Sequence, residues 1–155
     1  MNIKNYIIAV NSGLVALLNR YNPNTSAMNV PKVTFELKDG FLLVVGHGAR
    51  NNLQEMNEAA SEIYRKMDET QCYFLLVDYS ELEINVHMAE AFNIVKRYEL
   101  AQPDLKKATI AAVFSGAGTE FGKFWKEVGR KRGFTIESFD TIELAKEWLK
   151  SKMKA

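Results

Sequence analysis

Apolar and polar residues alternate over 32–38, where Val33, Phe35 and Leu37 are separated by Thr34 and Glu36 and flanked by Lys32 and Lys38. This period of two predicts a strand with one face in solvent. Asp39-Gly40 follows, a strong two-residue hairpin signal, and Phe41-Leu42-Leu43-Val44-Val45 returns. An antiparallel pair therefore opens the sheet. The pattern then changes period. Leu53, Met56, Ala60, Ile63 and Met67 mark a helix, begun by Asn52 with Glu55 three residues on, an approximate capping box. Tyr73 to Val77 is continuously apolar, as in a strand covered on both faces. Met88, Phe92, Val95 and Tyr98 mark a second helix that ends before Pro103. Ala108 to Phe114 is another buried strand, and Phe121, Phe124, Trp125 and Val128 form the apolar side of a third helix. Phe134 to Phe139 is a short last strand. Asp140 and Glu143 read as a capping box, with Phe139 and Leu144 as its hydrophobic staple, ahead of a helix that buries Ala145, Trp148 and Leu149.

Upstream of the hairpin, Ile3, Ile7, Val10, Leu14, Leu17 and Tyr21 recur every three or four residues and predict an amphipathic helix packed on the domain. The stretch is too short and too interrupted to span a bilayer, which takes about 20 apolar residues. Asn22-Pro23-Asn24-Thr25-Ser26 is a turn-rich connector. The expected organisation is an N-terminal helix and connector over 1–29 and one α/β domain over 30–155. After the hairpin, alternation of helix and strand predicts parallel pairing through right-handed crossovers.

The hairpin-βαβαβα order carries two further features. Leu76-Val77-Asp78-Tyr79-Ser80 ends the central strand, and Phe139-Asp140-x-x-Glu143-x-Ala145-x-x-Trp148-Leu149 closes the chain. Together they resemble the SpoIIAA-like proteins of the STAS superfamily, which share features with lipid-binding CRAL-TRIO domains. The likeness covers about residues 30–150 and implies a mixed sheet of about five strands with helices packed on it. In STAS antagonists a phosphorylatable serine sits in the helix turn after this strand. The matching stretch here is Val86-His87-Met88-Ala89, which holds no hydroxyl, and Ser80 is not its equivalent. The resemblance thus implies the fold without the phosphoswitch.

The chain has 155 residues, 47% hydrophobic and 25% charged, the proportions of one globular domain. A chain of this length buries a sufficient core without staples. The single cysteine, Cys72, begins an apolar run and is expected as a buried small side chain, which fits a reducing, cytoplasmic setting. The net charge of +1 conceals segregation: residues 1–50 hold five basic and two acidic side chains, 51–100 four and ten, and 120–155 nine and six. Internal pairing, a dimer contact and a polarised binding surface all remain open.

Candidate chemistry clusters at predicted strand ends, where open α/β sheets bind ligands. Gly46-His47-Gly48-Ala49-Arg50-Asn51-Asn52 is the preferred element, because His47 and Arg50 are suited to a carboxylate or phosphate; the alternative is a flexible, solvated turn. Ser115-Gly116-Ala117-Gly118-Thr119-Glu120-Phe121-Gly122-Lys123 follows a strand and opens a helix, but its glycine spacing fits neither a P-loop nor a dinucleotide fingerprint. It reads as a strand-to-helix turn capped by Thr119. The ligand-binding candidates are His47, Arg50, Asp78, Ser80, Ser115, Gly116 and Thr119. Two histidines and one cysteine assemble no metal set, and no cofactor is expected. A Ser115/His47/Asp78 triad lacks a nucleophile elbow, so no catalytic residue is assigned.

Five basic residues between Lys123 and Arg132 interleave with aromatics, yet the aromatics share one stripe and read as core, leaving a solvated basic face and no nucleic-acid site. The expectation is a non-enzymatic cytoplasmic module that binds a partner protein, a second copy of itself, or a small apolar or anionic ligand. A lipid or small-ligand carrier of the CRAL-TRIO kind is the alternative, and a small hydrolase using His47 and Ser115 the remote one.

Overall fold

A computed structural model describes residues 32–155; the expected helix over 3–21 and its connector lie outside the described residues. Strand β1 (Val33–Lys38) and strand β2 (Phe41–Gly46) pair antiparallel, with Lys38 opposite Phe41. The turn between them places Asp39 at φ 52 and Gly40 at φ 85. Two successive positive φ values match the right-handed twist of the strands, which is why Asp-Gly closes the hairpin.

After β2 come β3 (Ala49–Arg50), helix α1 (Leu53–Thr70), β4 (Phe74–Tyr79), β5 (Glu83–Ile84), helix α2 (Glu90–Ala101), a 3-10 turn (Pro103–Lys107), β6 (Thr109–Phe114), helix α3 (Gly118–Lys131), β7 (Thr135–Phe139) and helix α4 (Ile142–Met153). The main sheet has the order β1-β2-β4-β6-β7, and every pair beyond the hairpin is parallel. This is the mixed α/β architecture read from the residue pattern.

The apolar runs become central strands. Leu75, Leu76, Ile110 and Ala111 are all buried, because helices cover both faces of the sheet. One face carries Leu42, Val44, Leu75, Val77, Ile110, Ala112 and Phe114 against α1, α2 and α3; Ala59, Ile94, Phe121 and Trp125 are the helical side of that core. The other face carries Phe41, Leu76, Ala111 and Val113 against Ala145 and Leu149 of α4. Alternate residues of one strand thus feed two separate cores.

Four local expectations are corrected. The α4 cap is Thr141, whose hydroxyl accepts from Leu144 N at 3.4 Å, in place of Asp140. Phe139 packs on Trp148 with ring centroids 5.8 Å apart, while Leu144 is exposed, so the staple does not form. Moving the cap by one residue rotates Leu144 off the buried stripe. At α3, Ala117 is the cap residue and makes no side-chain bond, and Thr119 lies inside the first turn. Cys72 is only partly buried, its Sγ facing the Phe74 carbonyl at 3.5 Å, because the strand starts two residues later than the apolar run. The α1 cap holds as read: Asn52 Oδ1 accepts from Glu55 N at 2.9 Å, and Glu55 returns a bond to Asn51 N at 2.8 Å.

Candidate functional site

The carboxyl ends of β2, β4 and β6 lie side by side, so the segments following them meet at one end of the sheet. Residues 46–52 are not the flexible turn of the sequence alternative. Ala49 and Arg50 pair in parallel with Glu83 and Ile84, giving a second, two-residue sheet that ties the loop after β2 to the loop after β4. Glu83 N donates to the Gly48 carbonyl at 3.0 Å, Asn85 N to the Arg50 carbonyl at 2.8 Å, and Asn85 Nδ2 to Asn51 Oδ1 at 2.9 Å.

Arg50 is the largest departure from expectation. Read as a ligand for a carboxylate or phosphate, it is completely buried. Its Nη2 donates to the Lys32 carbonyl at 2.8 Å, and its Nη1 to the His47 and Ala49 carbonyls at 3.0 and 3.2 Å. The parallel bridge to β5 turns its side chain inward, where backbone oxygens replace the expected ligand. Its Nε has no partner among the described residues.

The remaining candidates engage one another or their neighbours. His47 Nε2 lies 3.0 Å from Thr34 Oγ1. Asp78 Oδ1 accepts from Ser80 N at 3.0 Å and from Ser80 Oγ at 2.6 Å, a local turn in which the aspartate orders its own loop. Ser115 Oγ donates to the Ser80 carbonyl, joining the β4 and β6 ends. Gly116, at φ +56, takes the left-handed turn into α3. Asp78, Ser80 and Ser115 therefore form one connected cluster, whereas His47 bonds elsewhere and the triad geometry is not assembled.

Thr119 belongs to a different concavity. It lines a groove of about 190 Å³ with Lys123, Lys126, Ser138, Phe139, Asp140 and Leu144. This groove lies between the start of α3 and the turn from β7 into α4, two helices that cover opposite faces of the sheet. Its lysines already have acidic partners: Lys123 meets Glu120 at 3.5 Å and Lys126 meets Glu137 at 3.1 Å. Lys126 and Arg130 both reach Glu137 while Phe121 and Trp125 are buried, so the basic residues of α3 do occupy its solvent side.

Beneath the strand ends, between the sheet and helices α1 to α3, is a cavity of about 60 Å³. Met56, Ala60 and Ile63 of α1, Val77 of β4, Ala112 of β6 and Phe121 of α3 supply apolar walls. Tyr79, Tyr98 and Trp125 also line it. The Tyr79 ring meets Phe114 edge-on at 6.0 Å, and Tyr98 meets Phe134 at 5.9 Å, which fixes both phenols from behind. Burial raises the Tyr79 pKa above 10.0, opposed by the positive charge of Arg50. Burial raises the Tyr98 pKa as well, the neighbouring Tyr79 adds to it, and a hydrogen bond from Trp125 works the other way. Both hydroxyls are neutral donors at physiological pH.

These cavity residues were not among the sequence candidates, because in the sequence each is simply an apolar-face residue of its element. A tyrosine at the end of the buried strand β4 is the one signal that points to them, since a buried phenol needs a hydrogen-bond partner.

No family model matches the chain, and no curated protein matches it. Among solved structures it is similar to an uncharacterised DUF3478-family protein of Shewanella loihica PV-4 with a SpoIIAA-like fold. The two share 13% identity over 76% of this chain and 91% of that one, with a TM-score of 0.48. Among the described residues no helix is long and apolar enough to cross a membrane, and no group of metal-ligating side chains occurs.

Proposed function

We propose that the chain is a non-enzymatic, STAS-like binding module whose ligand is a small, largely apolar molecule held in the cavity under the strand ends. The observation that carries this reading is the cavity itself, lined mostly by apolar side chains. Protein interiors are close-packed, and an apolar space left open in one is suited to a small apolar ligand. Hydrolysis is the less supported use, since Ser115 bonds to the Ser80 carbonyl and His47 to Thr34.

Size selects among ligands. An engineered apolar cavity of about 150 Å³ admits benzene, and this one is about 60 Å³. That volume, under half of the benzene-binding one, holds a group of about two or three carbons and no lipid of the CRAL-TRIO kind. Native mass spectrometry of the freshly purified full chain, followed by melting of wild type and Ala112→Val under xenon, tests the reading. Ligand-dependent stabilisation in wild type that Ala112→Val removes is expected. Equal response of both proteins, or of neither, overturns it.

A second reading has its own observation. Met88 and Phe92, 47% and 43% exposed, lie at the start of α2, with Arg132 placed over the Phe92 ring at 5.1 Å. This surface suits a partner protein. Loss of self-association or of a captured partner in Phe92→Ser, with folding intact, is the outcome it requires.

A further inference from the structure

We infer that the outer face of α1 and α2 is a self-complementary surface on which a second copy of this chain docks, Leu100 of each copy entering the groove between α1 and α2 of the other. The inference is independent of the cavity reading, and Leu100 lies at the far end of α2 from Met88.

The groove is the receiving half. It measures about 640 Å³ and is lined by Leu53, Asn57, Ser61 and the carboxylates Glu58 and Glu62 of α1, together with Arg97 of α2. Gln54 Nε2 donates to Glu58 at 3.0 Å, and Lys32 Nζ approaches the same carboxylate at 3.9 Å. Glu62 is exposed and has no partner among the described residues.

The entering half stands beside it. Leu100 is 77% exposed, more than any other large apolar side chain among the described residues. It lies one helical turn from both Lys96 and Arg97, and residues three and four apart are neighbours on a helix surface. Arg97 is part of the groove, so the apolar knob and the groove share one face. Lys96 is exposed and pairs with no carboxylate among the described residues.

The mixture of signs decides the occupant. An anionic bilayer or a nucleic acid drawn to Lys96 would also meet Glu58 and Glu62, which repel it. A fitting partner presents an apolar knob beside a cation and, next to it, a groove beside carboxylates. This face carries both halves itself. A two-fold rotation places each Leu100 in the opposite groove and each Lys96 beside Glu62 of the second copy. Such a contact is isologous, so it closes as a dimer and does not extend into a fibre. The leucine loses water at the centre, while the charge pairs at the rim fix the register.

Sedimentation equilibrium of the full chain over about 5 to 500 µM tests this. Wild type is expected to dimerise in that range. Leu100→Asp should raise Kd at least about tenfold, because it would bring a carboxylate to Glu58 and Glu62. Lys96→Glu and Glu62→Lys should each weaken self-association about threefold or more. An equimolar mixture of those two variants should associate more tightly than either alone, since both charge contacts are again between opposite signs. A merely structural role for either residue gives no such rescue. Each substituted side chain is exposed, so the variants keep the fold, which a thermal melt checks. A wild type that stays monomeric throughout, a dimer that Leu100→Asp leaves intact, or a mixture no tighter than its components overturns the inference. A dimer lost in Phe92→Ser and kept in Leu100→Asp overturns it in favour of the surface around Met88 and Phe92.

Discussion

A Cβ placed on Gly46 would lie 2.5 Å from Cδ1 of Tyr79. The last residue of β2 must therefore be glycine for the tyrosine ending β4 to keep its position on the cavity wall. Gly46→Ala is expected to destabilise the fold by about 1–3 kcal/mol through overpacking. Urea unfolding checks this, and Gly46→Ala combined with Tyr79→Leu should recover part of the loss, because the clash is with that ring.

Arg50→Met removes the donors of three carbonyl bonds, from Lys32, His47 and Ala49. Buried acceptors without donors are costly, and a loss of about 3 kcal/mol is expected. Arg50→Lys should recover little, because one ammonium group does not reproduce the spread of a planar guanidinium. Chemical denaturation of the two variants compares them directly.

Ala112 is buried in β6 on the cavity wall. Ala112→Val suits a strand and fills empty space, so it should raise stability by about 1 kcal/mol while removing ligand response. A fall in the denaturation midpoint would show that the wall tolerates no added methyl groups.

Tyr79 and Tyr98 both have pKa values raised above 10.0 in the folded chain. Below pH 10 both states keep their phenol protons and stability is unaffected by them. Above it the unfolded chain releases protons that the folded chain retains, so stability falls as pH rises, at about 1.4 kcal/mol per pH unit for each tyrosine. Urea midpoints between pH 9 and 11 should drop less steeply in Tyr98→Phe than in wild type.

Ser115 Oγ donates to Ser80 rather than to His47. Ser115→Ala should cost about 1 kcal/mol of stability, the net worth of one hydrogen bond. Neither Ser115→Ala nor His47→Ala should alter turnover of an ester panel by the purified chain; a specific loss in both would revive the hydrolase.

Much of the fold was legible because its signals are local. Asp39-Gly40 specifies a hairpin through backbone sterics, Asn52 with Glu55 specifies a helix start, and the runs at 74–77 and 109–114 specify strands covered on both faces. The α4 cap was misplaced by one residue because Asp140 and Thr141 are both good caps, and only packing of Phe139 on Trp148 decides between them.

The site was legible only as a location. Residue type and strand-end position brought forward Asp78, Ser80 and Ser115, which do meet. They also brought forward Arg50 as an anion ligand, and nothing in a two-residue strand warns that pairing with Glu83 and Ile84 buries it. The sequence by itself determined the succession of strands and helices, since period and turn chemistry act between near neighbours. Only the tertiary structure decided that residues as distant as Met56, Tyr79, Tyr98 and Trp125 enclose one cavity and that Arg50 is buried. Enclosure and burial are properties of surfaces brought together by long-range packing, and no local pattern records them.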